Sequence, residues 1–359
     1  MKILVIGTGG REHAIIRRLA HDSVSHELHA APGNPGMGEH ATLHSIDPAD
    51  HSAVVDLAST HGIELVVVGP EAPLVDGLGD SLRNAGITVF GPSRAAAQLE
   101  GSKDFAKNVM QEAGVPTADS ITVTSPDAIE SALDQINPGG KVPYVVKDDG
   151  LAAGKGVVVT ESREEAIEHA QACLNKANGQ VVLEEYLDGP ELSVFCVCDG
   201  ERAVALVPAQ DFKRAFNGDE GPNTGGMGAY TPLPWLNERA AMKAVEDAIA
   251  LPTLRHMAQA GTPFIGTLFV GLAATTDGLK VIEFNARFGD PETQVVLDRL
   301  ESDLGPLLHA AAVGHLDSAP APTWKDHAGV TVVLASEGSP TSSRKGDPID
   351  GLAEATDSS

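Results

Sequence analysis

Cysteine, aromatic residues and cations are all scarce in this chain, and each shortage excludes something. The three cysteines, Cys173, Cys196 and Cys198, are odd in number and match no zinc spacing, which argues against both a disulfide framework and a structural zinc site. They read as small buried hydrophobes in a reducing compartment. Aromatics make up only 4% of the residues against 42% for the whole hydrophobic set, so the cores must be built mainly from Val, Leu, Ile and Ala. Lys and Arg number 25 against 50 Asp and Glu, a formal charge of −25. Without a basic stripe the chain is not expected to bind nucleic acid, and its acidity disfavours anionic lipid. No apolar stretch approaches the roughly 20 residues of a membrane span. The opening run KILVI is too short for a secretory signal. A soluble, cytoplasmic, monomeric protein is the expectation.

Glycine is abundant, with 38 residues in short clusters. In so acidic a chain the mean field repels phosphate. A phosphate-using site must therefore bring its own cations, metal or backbone amides, which makes a lysine or arginine inside a glycine cluster informative. Strand, glycine turn and helix follow one another at residues 2–20, and apolar strands recur at 64–69 and 87–91. That alternation predicts a parallel α/β domain over about residues 1–100. From 101 to about 320 the pattern changes to an α+β body. Strand-loop-strand units around one helix suggest a small lid at about 117–191. A polar stretch at 211–230 reads as a long functional loop, followed by a helix at 237–258, strands at 264–275 and 279–285, and a helix at 292–313. After Ala319-Pro320-Ala321-Pro322, a strand at 329–336 starts a further domain.

Four clusters carry chemistry. Gly7-Thr8-Gly9-Gly10-Arg11-Glu12 is not a dinucleotide fingerprint, because Glu12 stands where a third glycine belongs and no acid closes the second strand. Its amides, with Arg11, suit a small phosphate, the alternative being a purely structural strand-to-helix turn. The stretch GLAAGKGVV (150–158) is one residue short of a Walker A loop and carries Gly156 in place of the hydroxyl residue. With Lys147 before it and Lys155 within it, the Gly154-Lys155-Gly156 turn is nonetheless a phosphate-binding candidate. In VVLEEYLDGPE (181–191), Glu184 and Glu185 fall on opposite faces of a strand. That strand is either an edge strand with one solvated acid or a hinge that meets adenine, with Glu191 on the ribose. In KVIEFNARFGDPE (280–292), period two puts Val281, Glu283 and Asn285 on one face, with Ile282 and Phe284 against the core. Glu283 and Asn285 then offer two oxygens to one point, which suits magnesium, and Arg287 follows at the strand end.

Seven stretches, in order, resemble the ATP-grasp ligases and among them the phosphoribosylamine–glycine ligase family: VIGTGGREHA (5–14), GPEAPL (69–74), LEGSKDFAK (99–107), DGLAAGKGV (149–157), LEEYLDG (183–189), GPNTGGMGAY (221–230) and IEFNARFGDPETQ (282–294). The resemblance implies an N-terminal α/β domain, an ATP-grasp body with a lid, and a C-terminal domain (321–359) that is incomplete in this chain, since the family continues past its end. It implies that ATP, glycine and 5-phosphoribosylamine are the small-molecule substrates, with Mg2+, or Mn2+ in its place. Lys103 and Lys147 would contact the ATP phosphates, and Gly154, Lys155 and Gly156 would cover them. Glu184, Glu185 and Leu187 would meet adenine, and Glu191 the ribose. Glu283 and Asn285 would hold the metal. Gly9, Gly10, Glu71 and Gly226 would line the substrate side, with Asp211, Lys213 and Arg287 at the reacting groups. The chain departs from the family at Asp148, where alanine is common, and at Phe212, where histidine is common. Rival readings are another ATP-grasp ligase or purine-pathway carboxylase, a nicotinamide oxidoreductase, or a nucleotide-binding remnant.

Overall fold

The computed structural model describes residues 1–151, 156–177, 179–218, 220–340 and 342–352. Its first sheet joins β1 (Lys2–Gly7), β2 (Glu27–Pro32), β3 (Thr42–Leu43), β4 (Leu65–Val68) and β5 (Val89–Phe90) in the order β3-β2-β1-β4-β5. Every pairing is parallel. The central strands β1 and β4 are apolar on both faces because helices cover both, and Ile3, Leu4, Val5, Ile6, Leu65 and Val66 are fully buried. The chain runs outward from β1 through β2 to β3 and then resumes on the other side at β4. The topological switch therefore lies between β1 and β4, where an open α/β sheet offers a crevice. Gly9 and Gly10 follow β1 there, and Glu71 follows β4.

A small sheet comprises β6 (Ser120–Val123), β7 (Tyr144–Asp148), β8 (Val157–Thr160) and β9 (Val181–Glu184), in the antiparallel order β6-β9-β7-β8. The helices Ile129–Ile136 and Arg163–Leu174 pack on it around a core of its own that includes Val123, Leu133, Val146, Ala170 and Leu183. Strand β9 is interior, and Glu184 is buried. The edge-strand alternative for Glu184 is therefore corrected. The strand also ends at Glu184, so Glu185 is not its opposite-face neighbour within the ladder.

The remaining strands are β10 (Glu191–Asp199), β11 (Ala203–Ala205), β12 (Gln210–Phe216), β13 (Glu220–Thr231), β14 (Ile265–Thr275), β15 (Gly278–Asn285) and β16 (Gly329–Val332). One sheet has the order β11-β10-β14-β15 and another β12-β13-β16, both antiparallel. The first of these shares a continuous core with the parallel sheet: Leu4, Ile6 and Val68 belong to the same cluster as Val270, Leu272 and Phe284.

Four expectations change. Residues 211–230 are not a loop but the β12–β13 hairpin, whose register shifts at Phe212/Arg214 and Arg214/Phe216. Backbone pairing holds these polar, glycine-rich strands together without an alternating apolar face. The strand at 329–336 is shorter, and β16 pairs with β13 instead of opening a separate sheet. The helix at 237–258 is a helix Glu238–Val245, a π turn Glu246–Ala250 and a helix Leu251–Gln259, with Pro252 near the start of the last piece. The helix at 292–313 is two helices, Glu292–Arg299 and Leu304–Ala312.

Candidate active site

A cleft opens between the small sheet and β15. It is lined by Lys103 and Lys107 from the helix Lys103–Ala113, by Lys147 of β7 and Glu184 of β9, and by residues 282–285 of β15. Ser102 caps that helix by accepting from the Phe105 amide at 3.0 Å, and Gly114 ends it in the left-handed region with φ of 68°. Lys103 and Lys107, one helical turn apart, therefore share a face.

Glu184 is held between two lysines. Its Oε1 lies 2.9 Å from Lys147 Nζ and its Oε2 2.8 Å from Lys107 Nζ. All three side chains are buried. Lys147 also donates to the Ile282 carbonyl at 2.9 Å, and Lys107 to Thr117 Oγ1 at 2.9 Å and the Ala118 carbonyl at 3.2 Å. Burial pulls the Lys107 ammonium below its ordinary pKa, against the pull of Glu184. Sequence reasoning missed Lys107. Its signal was available in the four-residue spacing from Lys103 in LEGSKDFAK.

Glu283 and Asn285 both face this cleft, as expected, but not by simple alternation. A bulge opposite Gly271/Leu272 inserts an extra residue into β15. Val281 therefore joins Phe284 in the core, and Ile282 lines the cleft, the reverse of the expected faces. The bulge is stitched to residues 116 and 117: the Val281 amide donates to the Pro116 carbonyl at 2.8 Å, and Thr117 Oγ1 donates to the Val281 carbonyl at 2.6 Å. Burial works to raise the Glu283 pKa. The cations Lys213, Lys147, Lys103 and Arg287 outweigh it and hold the carboxyl below its ordinary value, so it is ionised at neutral pH.

Beyond β15, Arg287 bridges two acids. Its guanidinium lies 3.1 Å from Glu100 Oε1 and 3.4 Å from Glu71 Oε2. Glu100, also missed from sequence, accepts from the Ala286 amide at 2.7 Å and fixes the strand end. Burial raises the Glu100 pKa, opposed by Arg287. At Glu71 burial also acts to raise the pKa, but Arg287 brings it below the ordinary value.

At the first glycine turn, Glu12 folds back so that its Oε2 accepts from the Gly9 amide at 2.7 Å. A Cβ at Gly7 or Gly69 would lie 2.6 or 2.1 Å from the nearest Glu12 atom, so these glycines make room for that carboxylate. Arg11 is turned inward, 2.5 Å from Glu12 Oε1, and it donates to the Phe288 carbonyl at 3.1 Å. The Gly9 amide and the Arg11 charge, read from sequence as a phosphate grip, are thus engaged internally. Gly10 packs against Gln294: a Cβ there would lie 2.9 Å from its Nε2.

The hairpin contributes a charged group. Lys213 Nζ lies 3.2 Å from Glu191 Oε2 and 3.8 Å from Asp211 Oδ1, and its acidic neighbours raise its pKa despite burial. Burial, with the charge of Glu191, raises the Asp211 pKa against Lys213. Glu292, at the start of the helix Glu292–Arg299, accepts from Ser193 Oγ at 3.0 Å. Gly226, with φ of +130°, sits where a Cβ would come 2.3 Å from Pro291 Cδ, which seats the hairpin on the Asp290–Pro291 turn. Glu185 and Leu187 are half-buried in the segment after β9. Gly156 is buried, and its carbonyl accepts from the Asp148 amide at 2.7 Å. Gly154 and Lys155 lie outside the described residues.

The family model for the phosphoribosylglycinamide synthetase N domain matches residues 1–100, and that for the phosphoribosylglycinamide synthetase ATP-grasp (A) domain matches residues 101–293. A phosphoribosylamine–glycine ligase of Streptomyces coelicolor is 57% identical over 354 residues, covering 99% of this chain and 83% of its own length. The crystal structure of a phosphoribosylamine–glycine ligase from Thermotoga maritima is similar with a TM-score of 0.80 at 32% identity, over 96% of this chain and 83% of that one. A biotin carboxylase of Campylobacter jejuni, at a TM-score of 0.67 and 15% identity over 95% of this chain and 77% of that one, shares the fold alone.

Burial, reinforced by the charge of Asp211, pushes the Glu292 carboxyl up to about 7. The folded chain then holds a proton there that the unfolded chain releases near its ordinary value of about 4.3. Stability from this group is present below the unfolded value and is lost as pH rises from there towards 7. Glu292→Gln is therefore expected to flatten the fall in urea-unfolding free energy across that window. A variant whose pH profile has the wild-type slope contradicts the assignment.

Proposed function

The chain belongs to the phosphoribosylglycinamide synthetase family, and from that premise we propose how it ligates glycine to 5-phosphoribosylamine with ATP, giving glycinamide ribonucleotide, ADP and phosphate. The observation that carries the proposal is the run 283–294. It starts in the lysine-lined cleft at Glu283 and Asn285, meets Glu71 and Glu100 through Arg287, and ends at Gln294 beside Gly10. One short segment thus joins the lysine-lined cleft to the switch-point crevice of the parallel sheet.

ATP lies in the cleft, with its phosphates met by Lys103 and Lys147 and covered by the segment that includes Gly154, Lys155 and Gly156. Glu184, Glu185 and Leu187 face adenine, and Glu191 faces the ribose. A glycine carboxylate oxygen attacks the γ-phosphorus and ADP leaves, giving glycyl phosphate. The amine of phosphoribosylamine then attacks the activated carbonyl carbon, loses a proton, and expels phosphate. Gly9, Gly10, Glu71 and Gly226 line the phosphoribosylamine side, with Asp211, Lys213 and Arg287 near the reacting groups. Phosphoryl transfer of this kind depends on positioning and charge neutralisation more than on a covalent nucleophile, and the site is built of cations and fixed acids.

The family uses a divalent metal, and Glu283 and Asn285 fit one. The carboxyl is ionised, the amide oxygen is two residues away on the same strand, and both line the cleft beside the lysines. No group of three or more His, Cys, Asp or Glu suited to a metal occurs among the described residues. This donor set suits an ion that takes one or two protein oxygens and completes its shell with phosphate and water, as magnesium does, with manganese the alternative. When bound, the ion supplies charge neutralisation to the phosphates. No helix among the described residues is long and apolar enough to cross a membrane, and a cytoplasmic site of action is part of the proposal.

A coupled ADP assay with each substrate omitted in turn tests the reaction. Sustained ADP formation is expected only when ATP, glycine and phosphoribosylamine are all present, and equal turnover without the amine would sink the assignment. Glu283→Ala is expected to raise the magnesium concentration for half-maximal rate by about tenfold or more, the loss of one charged ligand costing on the order of 1.4 kcal/mol or above. An unchanged magnesium dependence removes Glu283 from the metal.

A further inference from the structure

We infer that Asp149 is a positioning residue that sets the two phosphate-facing lysines, Lys103 and Lys147, relative to one another. The inference rests on the ATP-binding role given to those lysines above. Asp149 follows β7 two residues after Lys147, and its amide donates to the Gln180 carbonyl at 3.1 Å, which fixes its backbone to the small sheet. Its side chain crosses to the start of the helix Lys103–Ala113. There Oδ1 accepts from the Lys103 amide at 2.6 Å and from the Asp104 amide at 3.1 Å, and Oδ2 accepts from Ser102 Oγ at 3.2 Å. In return Lys103 Nζ donates to the Gly150 carbonyl at 3.0 Å. A second tie joins the same helix to the sheet, because Thr122 Oγ1 of β6 donates to Asp104.

These contacts close the helix N-terminus completely. An α-helix begins with four amides that lack intrahelical partners. Here Ser102 gives its to the Gln98 carbonyl at 3.0 Å, Lys103 and Asp104 give theirs to Asp149, and Phe105 gives its to Ser102 Oγ. An exposed helix start beside a phosphate site would itself attract phosphate. Asp149 occupies that position with its own charge, so the nucleotide must be met by the lysine side chains and not by the helix end. A carboxylate taking two backbone amides is a charge-assisted arrangement with a defined direction. It locks the helix carrying Lys103 to the strand carrying Lys147 across the mouth of the cleft.

The test is ATP affinity by calorimetry, with kcat, KM for ATP and Tm, on Asp149→Ala, Asp149→Asn and Ser102→Ala. Asp149→Ala is expected to weaken ATP binding about tenfold, the scale of a lost charged hydrogen bond, with kcat reduced less than KM is raised. Asp149→Asn, which keeps the shape and one acceptor, is expected to recover part of that loss. If Asp149→Ala does not fold, Asp149→Asn is judged by the same affinity criterion. Ser102→Ala loosens the helix start without releasing the Lys103 amide, so it should lower Tm while leaving ATP affinity close to wild type. The inference is overturned if Asp149→Ala binds ATP as wild type does, whatever its Tm. It is also overturned if Ser102→Ala weakens ATP as much as Asp149→Ala. A wild-type protein that fails to bind ATP refutes instead the reading of the cleft on which the inference stands.

Discussion

The placement of Glu184 between Lys107 and Lys147 is the constraint on which the lysine-lined cleft depends. Three charges are buried together, and burying each costs several kcal/mol unless its partners are well placed. The geometry supplies those partners: each lysine adds carbonyl or hydroxyl acceptors to its contact with the shared acid. The arrangement draws the helix Lys103–Ala113, β7 and β9 to one point and defines one wall of the cleft. Buried ion pairs of this type add little net stability, and their value here is geometric. Lys103, Lys107 and Lys147 are matched around the cleft by Glu100, Glu184 and Glu283, so the lining is neutral while the chain as a whole carries −25. Local neutrality is what lets an acidic protein receive a polyphosphate.

The opposite wall is organised by a single stretch. Strand β15 brings Glu283 and Asn285 to the cleft, and immediately afterwards Arg287 reaches Glu71 and Glu100. The Asp290–Pro291 turn then takes the close approach of Gly226, and Gln294 takes that of Gly10. Residues that are distant in the chain and were grouped in two halves by the family resemblance are thus tied to one segment of a dozen residues. Because the parallel sheet and the β10–β14–β15 sheet share one core, that segment has a rigid support. The small sheet has a core of its own.

Much of this was legible in the sequence, for identifiable reasons. Short apolar runs bounded by glycine gave away β1 and β4, and the acid and amide two apart on β15 marked its cleft-facing side. What was not legible depended on tertiary pairing. The bulge that moves Ile282 to the cleft and Val281 to the core comes from a register shift against β14, which no alternation rule contains. The hairpin at 210–231 lacks apolar alternation, so its polar, glycine-rich sequence resembled a loop. Lys107 and Glu100 were not singled out, because their partners, Glu184 and Arg287, come from more than seventy positions away. The engagement of the Gly9 amide by Glu12 is a local contact, yet a glycine turn read alone suggests an open anion site.

The most direct measurement is a double-mutant cycle for ATP binding, by calorimetry, on Lys147→Met, Glu184→Gln and the pair. If the buried network builds the cleft, each single change weakens ATP binding by about tenfold or more, and the double change costs clearly less than the sum of the two. Additive effects, or single variants that bind ATP as the wild type does, would contradict the account.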